Sequence, residues 1–120
     1  MKTYKIIKIP ERVSLYAEGK YQLKYPVGSI VSAPEGTLGI MCFSTEEHAL
    51  KFVVSNELDL SQHTITEVEG LGKPLFPERI SWISSENCIR EFYRQHKQYF
   101  PVLTKPPEGT VCFPQIHVLG

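Results

Sequence analysis

The sequence predicts an α+β domain: a mixed, mainly antiparallel sheet of five to seven strands with two helices packed on it. Three observations predict it. Alternating apolar runs and short unbroken ones recur along the chain, as half-buried and fully covered strands require. Two segments instead carry apolar residues stepping by three and four, and they do not alternate with strands as a βαβ series would. Finally, 120 residues that are 42% apolar and 22% charged make one domain, residues 1–120, large enough to bury a core without disulfides or a metal.

Thr3–Ile9 is β-rich, with Tyr4 and Ile6 on one face and Ile7 and Ile9 on the other, so this strand is expected to be covered on both sides. Pro10 ends it. Val13, Leu15 and Ala17, then Tyr21, Leu23 and Tyr25, alternate with polar neighbours about Glu18-Gly19, which reads as a β-hairpin. Gly28–Ser32 is a short strand before the Pro34-Glu35-Gly36 turn, and the apolar Leu38–Phe43 is a central strand. Ser44-Thr-Glu-Glu47 reads as a capping box, with Ser44 as cap of a helix running to about Asn56 that turns Ala49, Phe52 and Val53 inward. Thr64–Val68 is a strand, and Gly70-Leu-Gly72 a turn. Ile80–Ile83 is a short strand, and Ile89, Phe92, Tyr93, His96, Tyr99 and Phe100 mark a second helix over 86–99. Thr110–Phe113 and Gln115–Leu119 form a last strand, broken or bulged at Pro114. Pro34-Glu-Gly-Thr37 recurs as Pro107-Glu-Gly-Thr110, a turn chemistry used twice.

Charge is balanced, 13 basic against 13 acidic residues, so the excess that a duplex nucleic-acid binder uses to displace counterions is missing. The charges are uneven, however: net +4 over residues 1–33, −6 over 34–69 and +2 over 70–120. Pairing of the acidic middle with basic neighbours is the simplest expectation, and a polar cleft or partner surface the alternative. No membrane span and no signal peptide are read, and the odd count of cysteines (Cys42, Cys88, Cys112) argues for a reduced, cytoplasmic protein.

Few residues suggest chemistry. His48, His63, His96 and His117 have no metal-ligand spacing, so no metal is expected. Cys42 and Cys112 read as buried small hydrophobes, and phosphate-binding glycine motifs are missing. Glu67 and Glu69, two apart on a strand, share a face. They are either a solvated strand face or a carboxylate pair lining a cleft, with Tyr16, Tyr21 and Tyr25 of the hairpin nearby.

Two resemblances follow from quoted residues. Gly39-Ile-Met-Cys-Phe43, the helix around Ala49, and Glu67-Val-Glu69-Gly70 resemble a small uncharacterised domain of phage and other microbial proteins, which implies a fold but no activity. Arg12, Phe43-Ser44-Thr45 and Glu67-Val-Glu69, in that order, also resemble the motif order of ADP-ribosyltransferases, with Glu46 where that pattern has Ser. That second resemblance implies Glu69 as catalytic glutamate, supported by Glu67 and Ser44, with Arg12 and Tyr16 holding NAD. The expectation is therefore a domain that binds a small molecule or a protein, without a cofactor. The alternative is an NAD-dependent transferase or a degenerate relative, and self-association through a strand edge is the third class.

Overall fold

The computed structural model of the chain describes residues 1–15, 22–78, 80–81 and 103–120. Eight strands and one helix lie in these segments: β1 (Lys2–Lys8), β2 (Ile30–Ser32), β3 (Ile40–Phe43), α1 (Glu46–Ser55), β4 (His63–Leu71), β5 (Ile80–Ser81), β6 (Leu103–Thr104), β7 (Thr110–Phe113) and β8 (Gln115–Val118). Six strands form one sheet in the order β2-β8-β4-β1-β3-β7, every neighbouring pair antiparallel, while β5 and β6 pair separately. The expected α+β class and mainly antiparallel sheet are present, and the described sheet has no parallel pair. One helix is described where two were expected. The expected second helix, 86–99, lies outside the described residues, as do Tyr16, Tyr21, Trp82 and Cys88.

The strand order forces the sheet to curl. β7 and β8 are separated in the sheet by β4, β1 and β3, so a flat sheet would hold them about 19 Å apart. Only Pro114 links Phe113 to Gln115, and two residues reach roughly 7 Å. The sheet therefore rolls until β7 and β8 act as one strand bent at Pro114. The chain leaving β4 completes the roll, because Leu75 exchanges backbone hydrogen bonds of 2.9 and 2.8 Å with Cys112 on the far side of β7.

Rolling creates an inner and an outer face, and each has its own core. Inside lie Ile7, Tyr25, Ile40, Cys42, Val68, Val111, Phe113, Ile116 and Val118. Outside, α1 lays Ala49, Phe52 and Val53 over Ile6 and Phe43, with the Phe43 and Phe52 rings 5.4 Å apart. β1 is thus covered on both faces, as its apolar pattern requires. Burial of Phe52 alone contributes about 2–3 kcal/mol.

Three local expectations are corrected. The helix cap is Thr45, not Ser44, because the Ser44 amide still donates to the Gly109 carbonyl at 2.8 Å and keeps residue 44 extended. Gly70 and Leu71 belong to β4, so the expected turn begins only at Gly72, whose φ is +86°. Of the expected hairpin, the described residues 13–15 and 22–25 join through the isolated Val13–Lys24 bridge and not as two strands; Ser14 is buried, its hydroxyl 3.2 Å from that of Tyr25, while Leu15 packs toward the outer core. Both Pro-Glu-Gly-Thr copies make the same turn: glycine at φ +81° or +85°, and a threonine hydroxyl donating to the proline carbonyl at 2.8 or 2.6 Å.

Candidate functional site

The acidic pair of β4 lies on the outer face, alternating with the buried Thr66, Val68 and Gly70. Glu69 Oε1 accepts a 2.8 Å hydrogen bond from the Met1 amino group, and Glu67 pairs with Lys2. Both carboxylates are more than a third exposed, so each pair contributes under about 1 kcal/mol. Their effect is local neutralisation, with cations of the basic N-terminal segment matched to the acidic middle. Tyr25, the hairpin tyrosine that is described, is 2% exposed inside the roll, so it does not share a surface with Glu67 and Glu69.

Arg12 stands on the other side of β4. Its Nε donates to the Tyr25 carbonyl at 2.8 Å, and its Nη2 donates to Thr66 Oγ1 at 3.4 Å. Thr66 faces inward while Glu67 and Glu69 face outward, so the sheet itself separates the guanidinium from both carboxylates. Ser44 follows Phe43, whose register partner is Tyr4, itself opposite Glu67; that is two strand spacings, about 10 Å. The residues of the transferase-like order are therefore spread over two faces, on β4, at the end of β3 and in the loop after β1.

Around Arg12 the inner face is cationic. Residues of β1 that point inward are Thr3, Lys5 and Ile7, and Lys5 is 8% exposed. Its Nζ donates to the Met41 carbonyl at 2.8 Å and sits 5.1 Å from the centre of the Tyr25 ring. Lys5 is the register partner of Thr66, whose hydroxyl accepts from Arg12, and Tyr25 contacts both cations. Among the described residues, neither cation has a carboxylate within ion-pair distance, although buried lysines are nearly always paired. Arg12 also holds φ +57°, a region that non-glycine residues rarely occupy. It is fastened there by a reciprocal bond, its own carbonyl accepting from the Tyr25 amide at 2.8 Å.

Sequence reasoning missed Lys5, and the signal was present. A strand with Ile6 and Ile7 on opposite faces is covered on both, which leaves Lys5 no solvated side.

A third cluster surrounds the start of α1. Thr45 Oγ1 lies 2.8 Å from His48 Nδ1, His48 Nε2 is 3.6 Å from Glu108, and Glu108 pairs with Lys51 at 3.1 Å. The hydrogen bond from Lys51, then its charge and that of His48, hold the Glu108 carboxyl below its usual range. The row resembles a nucleophile–base–acid relay, but Thr45 Oγ1 already accepts the His48 amide at 3.1 Å as the helix cap. Capping alone accounts for the position of this hydroxyl.

The thiols are inert. Burial pushes Cys42 up, and burial with the neighbouring Cys42 drives Cys112 up to about 12. No three of His, Cys, Asp and Glu converge as metal ligands among the described residues, and no described helix is long and apolar enough to cross a membrane. An open cleft of about 290 Å³ lies where the roll closes, between residues 33–39, residues 73–75 and the Cys112–Pro114 corner. No family model, no curated protein and no solved structure matches the chain.

Proposed function

We propose that this domain acts by binding, and that its ligand presents a compact oxyanion, such as a phosphate group, to the Lys5–Arg12 pair on the inner side of the sheet. One observation carries the reading: a buried lysine, Lys5, and a half-buried arginine, Arg12, lie next to Thr66 with no carboxylate paired to either among the described residues. Removing a cation from water is costly unless an opposite charge replaces the lost hydration, so an arriving anion supplies what the pair lacks. Arg12 keeps donors for it, since Tyr25 and Thr66 use only two of its five N–H groups.

The alternative, NAD-dependent transfer through Glu69, is less supported, because Arg12 and the carboxylates lie on opposite sides of β4. The unpaired thiols Cys42 and Cys112 support a reducing compartment such as the cytoplasm. The phage-domain resemblance adds no activity to this reading.

The test is an amide-resolved NMR titration with inorganic phosphate and, separately, with NAD. Saturable phosphate shifts at Arg12, Tyr25 and Thr66, weakened about tenfold or more in Arg12→Gln, are expected for a charge-assisted site. A silent spectrum at high phosphate, or an unchanged affinity in Arg12→Gln, overturns the proposal. Joint NAD shifts at Arg12, Ser44 and Glu69 would instead favour the transferase. Sedimentation at two concentrations separates either outcome from self-association through the edge strand β2.

A further inference from the structure

The closing seam of the sheet carries a second feature, made of different residues. Pro34 and Leu38 form one side of the 290 Å³ cleft, Leu75 the other and Pro114 the end, with Cys112 beneath and Lys73 at the rim. Each wall is pinned. Ala33 donates to the Pro114 carbonyl at 2.8 Å, and Leu75 is bonded twice to Cys112. The Thr37 hydroxyl donates to the Pro34 carbonyl at 2.8 Å and accepts from the Gly39 amide at 3.3 Å. Gly39, at φ +113°, lies so close to the corner that a Cβ there would stand 2.7 Å from the Phe113 carbonyl oxygen. Gly72 is as close to the Pro114 ring. The backbone of both walls is thus held in place without a ligand, which is the preorganisation a ligand site needs.

The lining is also polarised. Its side chains are apolar except for Thr37, whose hydroxyl is engaged, and Lys73, which has no ion pair among the described residues. Among the described residues no carboxylate lines the cleft, and the thiol beneath it stays protonated and neutral. The volume of the cleft is about 290 Å³. That is close to the lower end of ordinary small-molecule sites.

We propose that this cleft binds a small organic anion with an apolar body, namely a monocarboxylate whose head pairs with Lys73 and whose chain lies between Leu38, Leu75 and Pro114. Octanoate is the probe, with octanol and octylammonium as neutral and cationic counterparts, each titrated against amide-resolved NMR spectra of the whole chain. Octanoate is expected to shift Thr37, Gly39, Lys73 and Leu75 saturably, octanol to bind about fivefold more weakly, and octylammonium to leave them unmoved. Lys73→Gln should lose the same factor and Lys73→Arg restore it; both replace an exposed side chain and leave the fold intact. Equal affinity for octanol and octanoate overturns the proposal, as do shifts confined to the exposed Leu50 and Val54 of α1. A phosphate-silent protein that still passes this test separates the cleft from the Lys5–Arg12 pair.

Discussion

Single residues hold this fold at points where atoms, more than sequence pattern, decide the identity. Gly70 shows this most sharply. Its backbone is ordinary strand, yet a Cβ there would lie 2.3 to 2.5 Å from the ring of Phe113, which is fully buried at the centre of the inner core. Neither the ring nor the strand can retreat without disturbing Val68 and Ile116. Gly70→Ala is therefore expected to destabilise the domain by about 1–3 kcal/mol, read as a lower urea midpoint with an unchanged m value. Read in sequence, the glycine suggested a turn; only the partner ring shows that it is a packing glycine. Thr3 is the converse case, since its buried hydroxyl faces the Cys42 thiol and makes no hydrogen bond of normal geometry.

At the scale of an element, α1 is legible in sequence almost to the residue. Ala49, Phe52 and Val53 are the inward stripe, two glutamates occupy the first turn, and the helix ends at the Asn56 cap. What the sequence leaves ambiguous is which of two adjacent hydroxyl residues caps it, because Ser44 and Thr45 are chemically equivalent for that task. The choice is made by the Pro107–Thr110 turn, whose Gly109 carbonyl captures the Ser44 amide and whose glycine packs against the His48 ring. Thr45→Ala is expected to cost about 1 kcal/mol, and Ser44→Ala under about 0.5 kcal/mol, in paired urea unfolding curves. Equal losses would move the cap back to Ser44.

For the whole molecule, the roll of the sheet decides both the core and its response to pH. Because β7 is closed in by β3 on one side and by Leu75 on the other, Cys112 is held with its pKa at about 12 against an ordinary 9.0. Between those values the unfolded thiol has released its proton while the folded one retains it, so the unfolded state binds fewer protons. Stability from this group must then fall as pH rises from about 9 toward 12, by about 1.4 kcal/mol per unit. Cys112→Ala should lower stability at neutral pH but flatten that alkaline slope, which urea unfolding at pH 8, 9 and 10 measures. An identical slope in the two proteins would show that the thiol is not what titrates.

By itself the sequence determined where the six strands of the main sheet and α1 lie, that β1 is covered on both faces, that Cys42 and Cys112 are buried, and that the last strand breaks at Pro114. These follow from local causes: side-chain periodicity, turn chemistry and the missing amide of proline. Only the tertiary structure decided which strands meet. A six-stranded order that leaves one residue between β7 and β8 must curl, and curling sorts alternate residues of each strand into an inside and an outside. That sorting sent Lys5 inward and Glu67 and Glu69 outward, left the loop residue Arg12 on the inner side, and opened the cleft at the seam. Residue spacing along one strand tells which side chains share a face, but not which way that face will turn. Strand order sets that direction, through contacts between residues sixty or more apart in the chain, such as Lys2 with Glu69.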